Sequence, residues 1–588
     1  MRKRESWHTD AQNVDPAEIG DIIFCNATVR QFLDMNSKNF VIACKGIGKT
    51  LLLKYKRFLL DKHFCSSDEG SSISFIPHST PYLDFVTDFG SLRKGTINIM
   101  ESLGISRKLW TVAIMISALS EYNSKTQETS HSYDSELNEL KKRYDQKYKR
   151  YIELFTEGRS CAPCYVLRLM LTTMQRQTIM RFLDEFYPVI EELFRSVHSG
   201  IFIFIDRVDQ ALRPYGKNVW IHFQAGLVEA AWDVMRINNH VKIFTSIRQE
   251  AWLSYTSSNK EAIKGNVSII RYSHQDLLNI SNHHCLYYED VRTVYDFLGF
   301  KEILNAFSGI KEDSFNYIER HTIGRPRDLM TIFSAISPYR KEMSNDYFRD
   351  IVNTSSNIDI GKNVFDELVF LFHSLDSKEK QDVFFSLIPQ NILSIEMMKD
   401  ICREYNDMSS CHDQNCKLCD AGHVFCDLYN TGFLGVIKDD TNKDTPKNVK
   451  IQKFLGPYDL RSYDKGGLPP SENFYLIHPC LQSCIEDIRY RMTGKSYNLV
   501  ENILIGHNYY WYKKYTYFVY IYNYLHEIPD NSIREQFRSL IYDVSRGADK
   551  NVVEDKFKRI DDMLDKSAKR IINLTKIWGF VEKIYSLM

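Results

Sequence analysis

The stretch Phe40-Val-Ile-Ala-Cys-Lys-Gly-Ile-Gly-Lys-Thr-Leu-Leu-Leu53 decides how the rest of the chain is read. The apolar run Phe40 to Ile42 predicts a buried strand, and Leu51 to Leu53 predict the opening of a helix. Between them lies a glycine-bearing turn that ends in Gly48-Lys49-Thr50. Strand, turn and helix in that order aim the backbone N–H groups of a helix N-terminus at an anion, as in a phosphate-binding loop. On this reading Lys45, Gly46, Ile47, Gly48, Lys49, Thr50 and Leu51 line the phosphates of ATP. Lys49 reaches the β- and γ-phosphates, and the Thr50 hydroxyl holds Mg²⁺. The pattern G-x-x-x-x-G-K-[ST] fails at its first glycine, which is Ala43. Alanine lacks access to positive φ, so the loop must enter through ordinary backbone and leave the tight turn to Gly46 and Gly48.

A second anchor is Ser199-Gly-Ile-Phe-Ile-Phe-Ile-Asp-Arg-Val-Asp-Gln210. Its continuous apolar run, Ile201 to Ile205, predicts a strand buried on both faces, as in a parallel sheet. Such a strand delivers Asp206 to its carboxyl end, where open α/β sheets bind ligands and where a carboxylate orients Mg²⁺. Ser72 to Ile76, Val241 to Ser246 and Val267 to Tyr272 read as further strands. Val29 to Met35, capped by Thr28, and Gln275 to Ile280 read as helices. Alternating strands and helices from 40 to 280 predict a three-layer α/β domain.

These residues resemble the P-loop ATPases of the additional-strand branch, the part that holds AAA+ initiator ATPases and STAND switch ATPases. The resemblance rests on Ala43…Gly48-Lys49-Thr50, Asp206-Arg-Val-Asp209, Ser246-Ile-Arg248 and Gly324-Arg-Pro-Arg-Asp-Leu329, and covers roughly residues 15 to 345. It implies a helical lid in which Arg327 or Arg325 touches the γ-phosphate, with Arg248 as a phosphate sensor or an ion-pair partner. AAA+ enzymes place a glutamate directly after the strand aspartate, as the base that orients water; that position is Arg207. Asp209 matches a second acidic position of the switch ATPases, and Glu250 is a more distant carboxylate. An ATPase without a well-placed base still turns over through positioning and charge stabilisation, slowly, which suits a switch.

At 588 residues, 44% apolar and 26% charged, the chain has the composition of a globular protein of several domains. Lys plus Arg and Asp plus Glu both total 75, so no global field recruits nucleic acid; any such site is a local patch. The longest apolar run, Leu109 to Leu119, is too short to span a bilayer, so a cytoplasmic protein without membrane contact is expected. Basic residues between 141 and 150 lie on an amphipathic helical pattern, read as a solvated arm. Cys161-Ala-Pro-Cys164 reads as a helix start rather than a redox site. The thirteen cysteines cluster only at Cys411, Cys416, Cys419 and Cys426, where His423 joins them. Cys411, Cys416 and Cys419 with His423 or Cys426 have the spacing of a structural Zn²⁺ knuckle, His412 being spare.

The expected organisation is a P-loop core over 1–270 with a helical insertion at about 100–160, then a lid over 271–360. A winged-helix-like domain over 361–484, with its cysteine-rich insert at 402–426, and a helical domain over 485–588 follow. Tyr509 to Tyr524 is dense in aromatics and reads as a buried helix seam, with base stacking as the alternative. The sequence thus points to an ATP-, Mg²⁺- and Zn²⁺-binding switch ATPase, a homo-oligomer with an effector protein as partner. By analogy of architecture, it belongs with prokaryotic antiviral defence systems. The rivals are a DNA-binding initiator or loader, and a scaffold with structural nucleotide.

Overall fold

The computed structural model describes residues 7, 13–65, 74–76, 92, 94–126, 151–153, 161–212, 215–304, 311–368, 372, 374–409, 424–439, 449–456, 459, 468–500, 503–507, 509–525, 528, 530–564 and 573–588. Two compact units are present: residues 8–283, and residues 1–7 together with 284–588.

In the N-terminal unit a 3-10 turn (Pro16–Glu18) and a short helix (Ile19–Ile22) precede helix α1 (Ala27–Asp34), capped by Asn26, whose side chain accepts from Val29 N. The cap is therefore two residues earlier than expected, because Asn26 has the extended backbone that a capping residue needs and Thr28 is already helical. Strand β1 (Phe40–Ala43) and helix α2 (Lys49–Cys65) flank the glycine turn. Then come β2 (Ser74–Ile76), α3 (Leu103–Thr126), α4 (Pro163–Thr173), α5 (Arg176–Arg195), β3 (Ile201–Ile205), α6 (Lys217–Ile237), β4 (Val241–Arg248) and β5 (Val267–Ile269).

These strands form a sheet in the order β2-β3-β4-β1-β5, with every pair parallel. Strand β4 is thus inserted between the glycine-turn strand and the Asp206 strand. Ala43 pairs with Arg248 and Ile205 with Thr245, so the carboxyl ends of β1, β4 and β3 meet at one edge.

Helix α3 has 24 residues, well beyond the apolar run Leu109 to Leu119, and by length and composition alone it could cross a membrane. Here it is a core helix: Leu109, Trp110, Ile114 and Leu119 are fully buried, and Trp110 Nε1 donates to Phe223 O of α6 at 3.0 Å. Gly226 of α6 lets the two helices touch, since a Cβ there would lie 2.8 Å from Ser106 Cβ. Pro163 opens α4, and burial pushes the Cys161 and Cys164 thiols up to about 11 and about 12, so neither is a ready thiolate. The basic arm at 141–150 lies outside the described residues.

In the C-terminal unit a short helix (Val294–Leu298) is followed by a hairpin of β6 (Glu302–Leu304) and β7 (Lys311–Asp313). Helices α7 (Ser314–Arg320), α8 (Pro326–Ile336) and α9 (Asn345–Thr354) follow, then a π-helical turn Ser355–Gly361 and α10 (Lys362–Leu368). Trp7 is buried in this unit, where Nε1 donates to Glu289 at 2.9 Å and the ring stacks on Tyr288 and Phe333. Beyond α10 the order is α11 (Lys378–Leu387), β8 (Ile392–Ser394), α12 (Ile395–Ser409), α13 (Val424–Asn430), β9 (Leu434–Lys438), β10 (Val449–Lys453), β11 (Phe474–Ile477) and α14 (Gln482–Thr493). Strand β12 (Tyr510–Tyr512) joins the sheet, whose order is β12-β10-β9-β11-β8, antiparallel throughout.

Helices α15 (Lys513–Leu525), α16 (Asn531–Ser545), α17 (Lys550–Met563) and α18 (Leu574–Tyr585) pack on one face of that sheet. Trp511, Tyr515, Phe518 and Tyr522 are buried in the shared core, so most of the aromatic run is the expected seam. Tyr510 and Tyr512 are not part of it and stand exposed.

Candidate functional site

The glycine turn has the backbone that the sequence demanded. Gly46 and Gly48 have φ of 86° and 103°, a region closed to residues with a Cβ, while Ala43 stays in the strand. Leu52 N donates to Gly48 O at 3.0 Å, which starts α2 directly after the turn. Ile47 is buried and pins the loop, with Lys45, Gly46, Gly48, Lys49, Thr50 and Leu51 partly exposed. Lys49 Nζ donates to Ala43 O at 3.0 Å and to Cys44 O at 2.9 Å, folding back over the turn. An ammonium has three N–H donors, so one remains for an anion. Burial and the Arg248 charge lower the Lys49 pKa, while Asp209, Glu250 and Asp206 oppose them. A phosphate would oppose them further.

Asp206 is buried at the end of β3. One carboxylate oxygen accepts from Thr50 Oγ1 at 2.6 Å and the other from Ser246 Oγ. The hydroxyl and carboxylate expected to hold Mg²⁺ are therefore side by side, brought together from α2 and β3 across β4. Both are hard oxygen ligands, and few protein ligands suit a Mg²⁺ ion that also binds phosphate and water. The donor set thus fits Mg–ATP. Arg207, where the resemblance expects glutamate, sits at φ 60°, strained for a residue with a Cβ by about 1 kcal/mol or more.

Arg248, at the end of β4, is buried and ties the two other carboxylates together. Its Nη1 donates to Asp209 Oδ2 at 3.3 Å, its Nη2 to Glu250 Oε1 at 2.8 Å and its Nε to Glu250 Oε2 at 3.1 Å. Its guanidinium carbon lies 5.8 Å from the Trp220 ring centroid. Burial alone would raise the Glu250 pKa, but the charge and hydrogen bonds of Arg248, with Lys49 behind it, hold it below the usual carboxylate value. Of the two roles open to Arg248, the ion pair is the one occupied here. Asp209 and Glu250 share that guanidinium, so neither is an unencumbered base.

Two members of this site, Gln224 and Gln249, carry no local sequence signature, and Ser246 belongs to the stretch behind the resemblance without a role of its own there. Ser246 holds Asp206 in place, Gln224 Oε1 accepts from Arg248 N at 3.2 Å, and Gln249 Oε1 accepts from Cys44 Sγ at 3.8 Å. A buried glutamine among the apolar residues of α6 is the one readable signal, since a buried amide must find partners.

Arg325 and Arg327 belong to the C-terminal unit. Arg325 is buried and bidentate to Asp328, at 2.8 and 2.7 Å, with its third nitrogen 3.1 Å from Glu367. All three nitrogens are engaged inside the unit, so Arg325 braces the start of α8. Arg327 is more exposed, 3.8 Å from Glu367. Cys426 is buried in α13, while Cys411, Cys416, Cys419 and His423 lie outside the described residues. Among the described residues no group of three or more His, Cys, Asp or Glu side chains is placed to hold a metal ion.

No protein-family model matches the chain, and no curated protein does. Among solved structures, the chain is similar to the ORC2 protein of Aeropyrum pernix, solved in ADPNP–ADP complexes. The identity is 11%, the TM-score 0.26, and the match covers 83% of this chain and 98% of that one.

Proposed function

We propose that this chain is a nucleotide-controlled switch, a P-loop ATPase of the AAA+ and STAND branch that binds Mg–ATP and hydrolyses it slowly. One observation carries the reading: Thr50 Oγ1 lies 2.6 Å from the Asp206 carboxylate, beside a glycine turn with two positive-φ glycines, in a parallel sheet whose β4 separates β1 from β3. Bound Mg²⁺ would neutralise phosphate charge there. Lys49 and the loop N–H groups bind the phosphates, Thr50 and Asp206 hold the cation, and Ser246 fixes Asp206. Slow turnover follows from Arg207 in the place of the usual base and from the grip of Arg248 on Asp209 and Glu250. Arg327 stays in the reading as the lid residue, carried by the resemblance alone, as are homo-oligomerisation and an effector partner. A place in antiviral defence is an analogy of architecture, and no residue or contact here supports it.

The test is calorimetric titration with ATP, with and without Mg²⁺. The wild type should bind more tightly with Mg²⁺, and Asp206→Asn should lose that gain. An Asp206→Asn protein with the same Mg²⁺ dependence as the wild type would sink the assignment.

A second reading, a DNA-binding initiator or loader, has one observation in its favour. The run α11-β8-α12-α13-β9…β11, with strands ordered β8-β11-β9, supports the winged-helix reading of this region, a fold that can carry DNA contacts. Salt-dependent retention on duplex DNA separates it from the first.

A further inference from the structure

We propose that β12 and the cleft beside it form a binding surface for single-stranded nucleic acid. The surface lies in the C-terminal unit, outside the residues that carry the ATPase resemblance, and does not depend on that assignment.

Three observations converge on it. Tyr510 and Tyr512 alternate with Trp511 along the edge strand β12; Trp511 is buried in the core and the tyrosines are 39% and 38% exposed. Their rings therefore share the outer face, with centroids 6.5 Å apart. Across β10 the same face carries Val449 and Ile451, the register partners of Tyr512 and Tyr510, with Lys453 exposed at the end of β10. Exposed aromatic rings on a sheet face are a sequence-tolerant platform for bases.

A cleft of about 390 Å³ adjoins Tyr512, lined by Lys513, Lys514, Ser545, Arg546 and Met588 among others. None of its lining side chains is a carboxylate. Among the described residues, Lys513, Lys514 and Arg546 make no ion pair with an Asp or Glu side chain, although the chain as a whole has equal numbers of acidic and basic residues. Arg546 is instead held by Tyr542, donating to its hydroxyl at 2.6 Å, and Lys514 Nζ lies 6.0 Å from the Tyr512 ring centroid. Three cations that have no Asp or Glu partner among the described residues, beside a tyrosine pair, match a ligand that repeats phosphate and aromatic base. A duplex hides its base faces, so a single strand is the form that this surface suits.

The experiment is fluorescence anisotropy with a short labelled oligothymidylate, its RNA counterpart and a duplex, using the full chain. The wild type should bind the single strands at about 50 mM salt and weaken steeply by about 200 mM. Tyr510→Ala with Tyr512→Ala should weaken binding at least about tenfold with the salt slope unchanged, while Tyr510→Phe with Tyr512→Phe should retain it. Lys513→Gln with Lys514→Gln should flatten the slope of log affinity against log salt by about 0.7 for each phosphate that the protein no longer neutralises. Lys49→Ala should bind the oligonucleotides like the wild type, which keeps this outcome apart from that of the ATPase reading. No binding at low salt, a duplex preferred over both strands, or affinity unchanged in the Tyr→Ala and Lys→Gln variants would overturn the proposal. A surface that instead takes up an extended peptide while ignoring oligonucleotides would overturn it as well.

Discussion

At the residue scale, the site divides into what adjacency makes legible and what the fold alone assembles. Lys49 and Thr50 could be read because a phosphate loop needs its glycines, lysine and hydroxyl within a few positions of one strand. Asp206 could be read because five apolar residues before it predict a buried parallel strand. Ser246 and the guanidinium of Arg248 meet them only through the β1–β4–β3 order, and Gln224 only through the packing of α6 on β4, neither of which local spacing encodes. Arg325 shows the converse: the resemblance offers it or Arg327 for a phosphate, and no local spacing announces that Asp328 and Glu367 bind all the Arg325 nitrogens. The grip of Arg248 also separates its two carboxylates. Glu250 is bidentate and buried, whereas Asp209 has one bond of 3.3 Å and more exposure, so Asp209 is the easier to release. Asp209→Asn should leave ATP affinity nearly intact and lower single-turnover hydrolysis by roughly 10²–10⁴-fold. Glu250→Gln should act on stability, by about 3 kcal/mol or more, because it strips a buried guanidinium of its main partner. If Glu250→Gln folds normally and loses hydrolysis while Asp209→Asn keeps the wild-type rate, the base is Glu250.

At the element scale, strands with continuous apolar runs were legible and helix lengths were not. The apolar stretch Leu109 to Leu119 marks only the centre of α3, because the turns on either side contain Ser106, Arg107 and Tyr122 and look like surface. Arg107 is in fact partnered, by Asp233 and Glu229 of α6, and Ser106 faces Gly226 across the same seam. Pairing across a helix interface hides polar residues from any pattern built on hydrophobicity alone. The contact is close enough to test. A methyl group at Gly226 would fall 2.9 Å from the Arg107 backbone nitrogen, which belongs to a helix and cannot give locally. Gly226→Ala should therefore cost roughly 1–3 kcal/mol despite the better helix propensity of alanine, measured by urea denaturation. A variant as stable as the wild type would mean that α3 and α6 pack less tightly than described.

At the scale of the whole molecule, the C-terminal unit carries a titration that net charge did not announce. Burial, and behind it Arg320, lowers His321 to about 3. Burial with His507 lowers His478 far below its usual value, and burial lowers His507 too. His478 and His507 lie 5.5 Å apart, so protonating one hinders the other. The unfolded chain takes up these protons near the ordinary value of 6.5, while the folded chain refuses them until much lower pH. The unfolded state then binds more protons, and stability is complete above about 6.5 and falls below it. Each histidine contributes up to about 1.4 kcal/mol per pH unit, so urea midpoints should drop clearly between about pH 6.5 and 5. Constant midpoints over that range would mean that water reaches these rings. Nucleotide binding can be tested on the entire protein through ligand linkage. Lys49 now donates only to two loop carbonyls, so Lys49→Ala should leave the nucleotide-free melting temperature nearly unchanged. Mg–ATP at about a hundred times its Kd should stabilise the wild type by about 2.7 kcal/mol and raise its Tm, and should leave Lys49→Ala unmoved. An equal rise in both proteins would contradict the account.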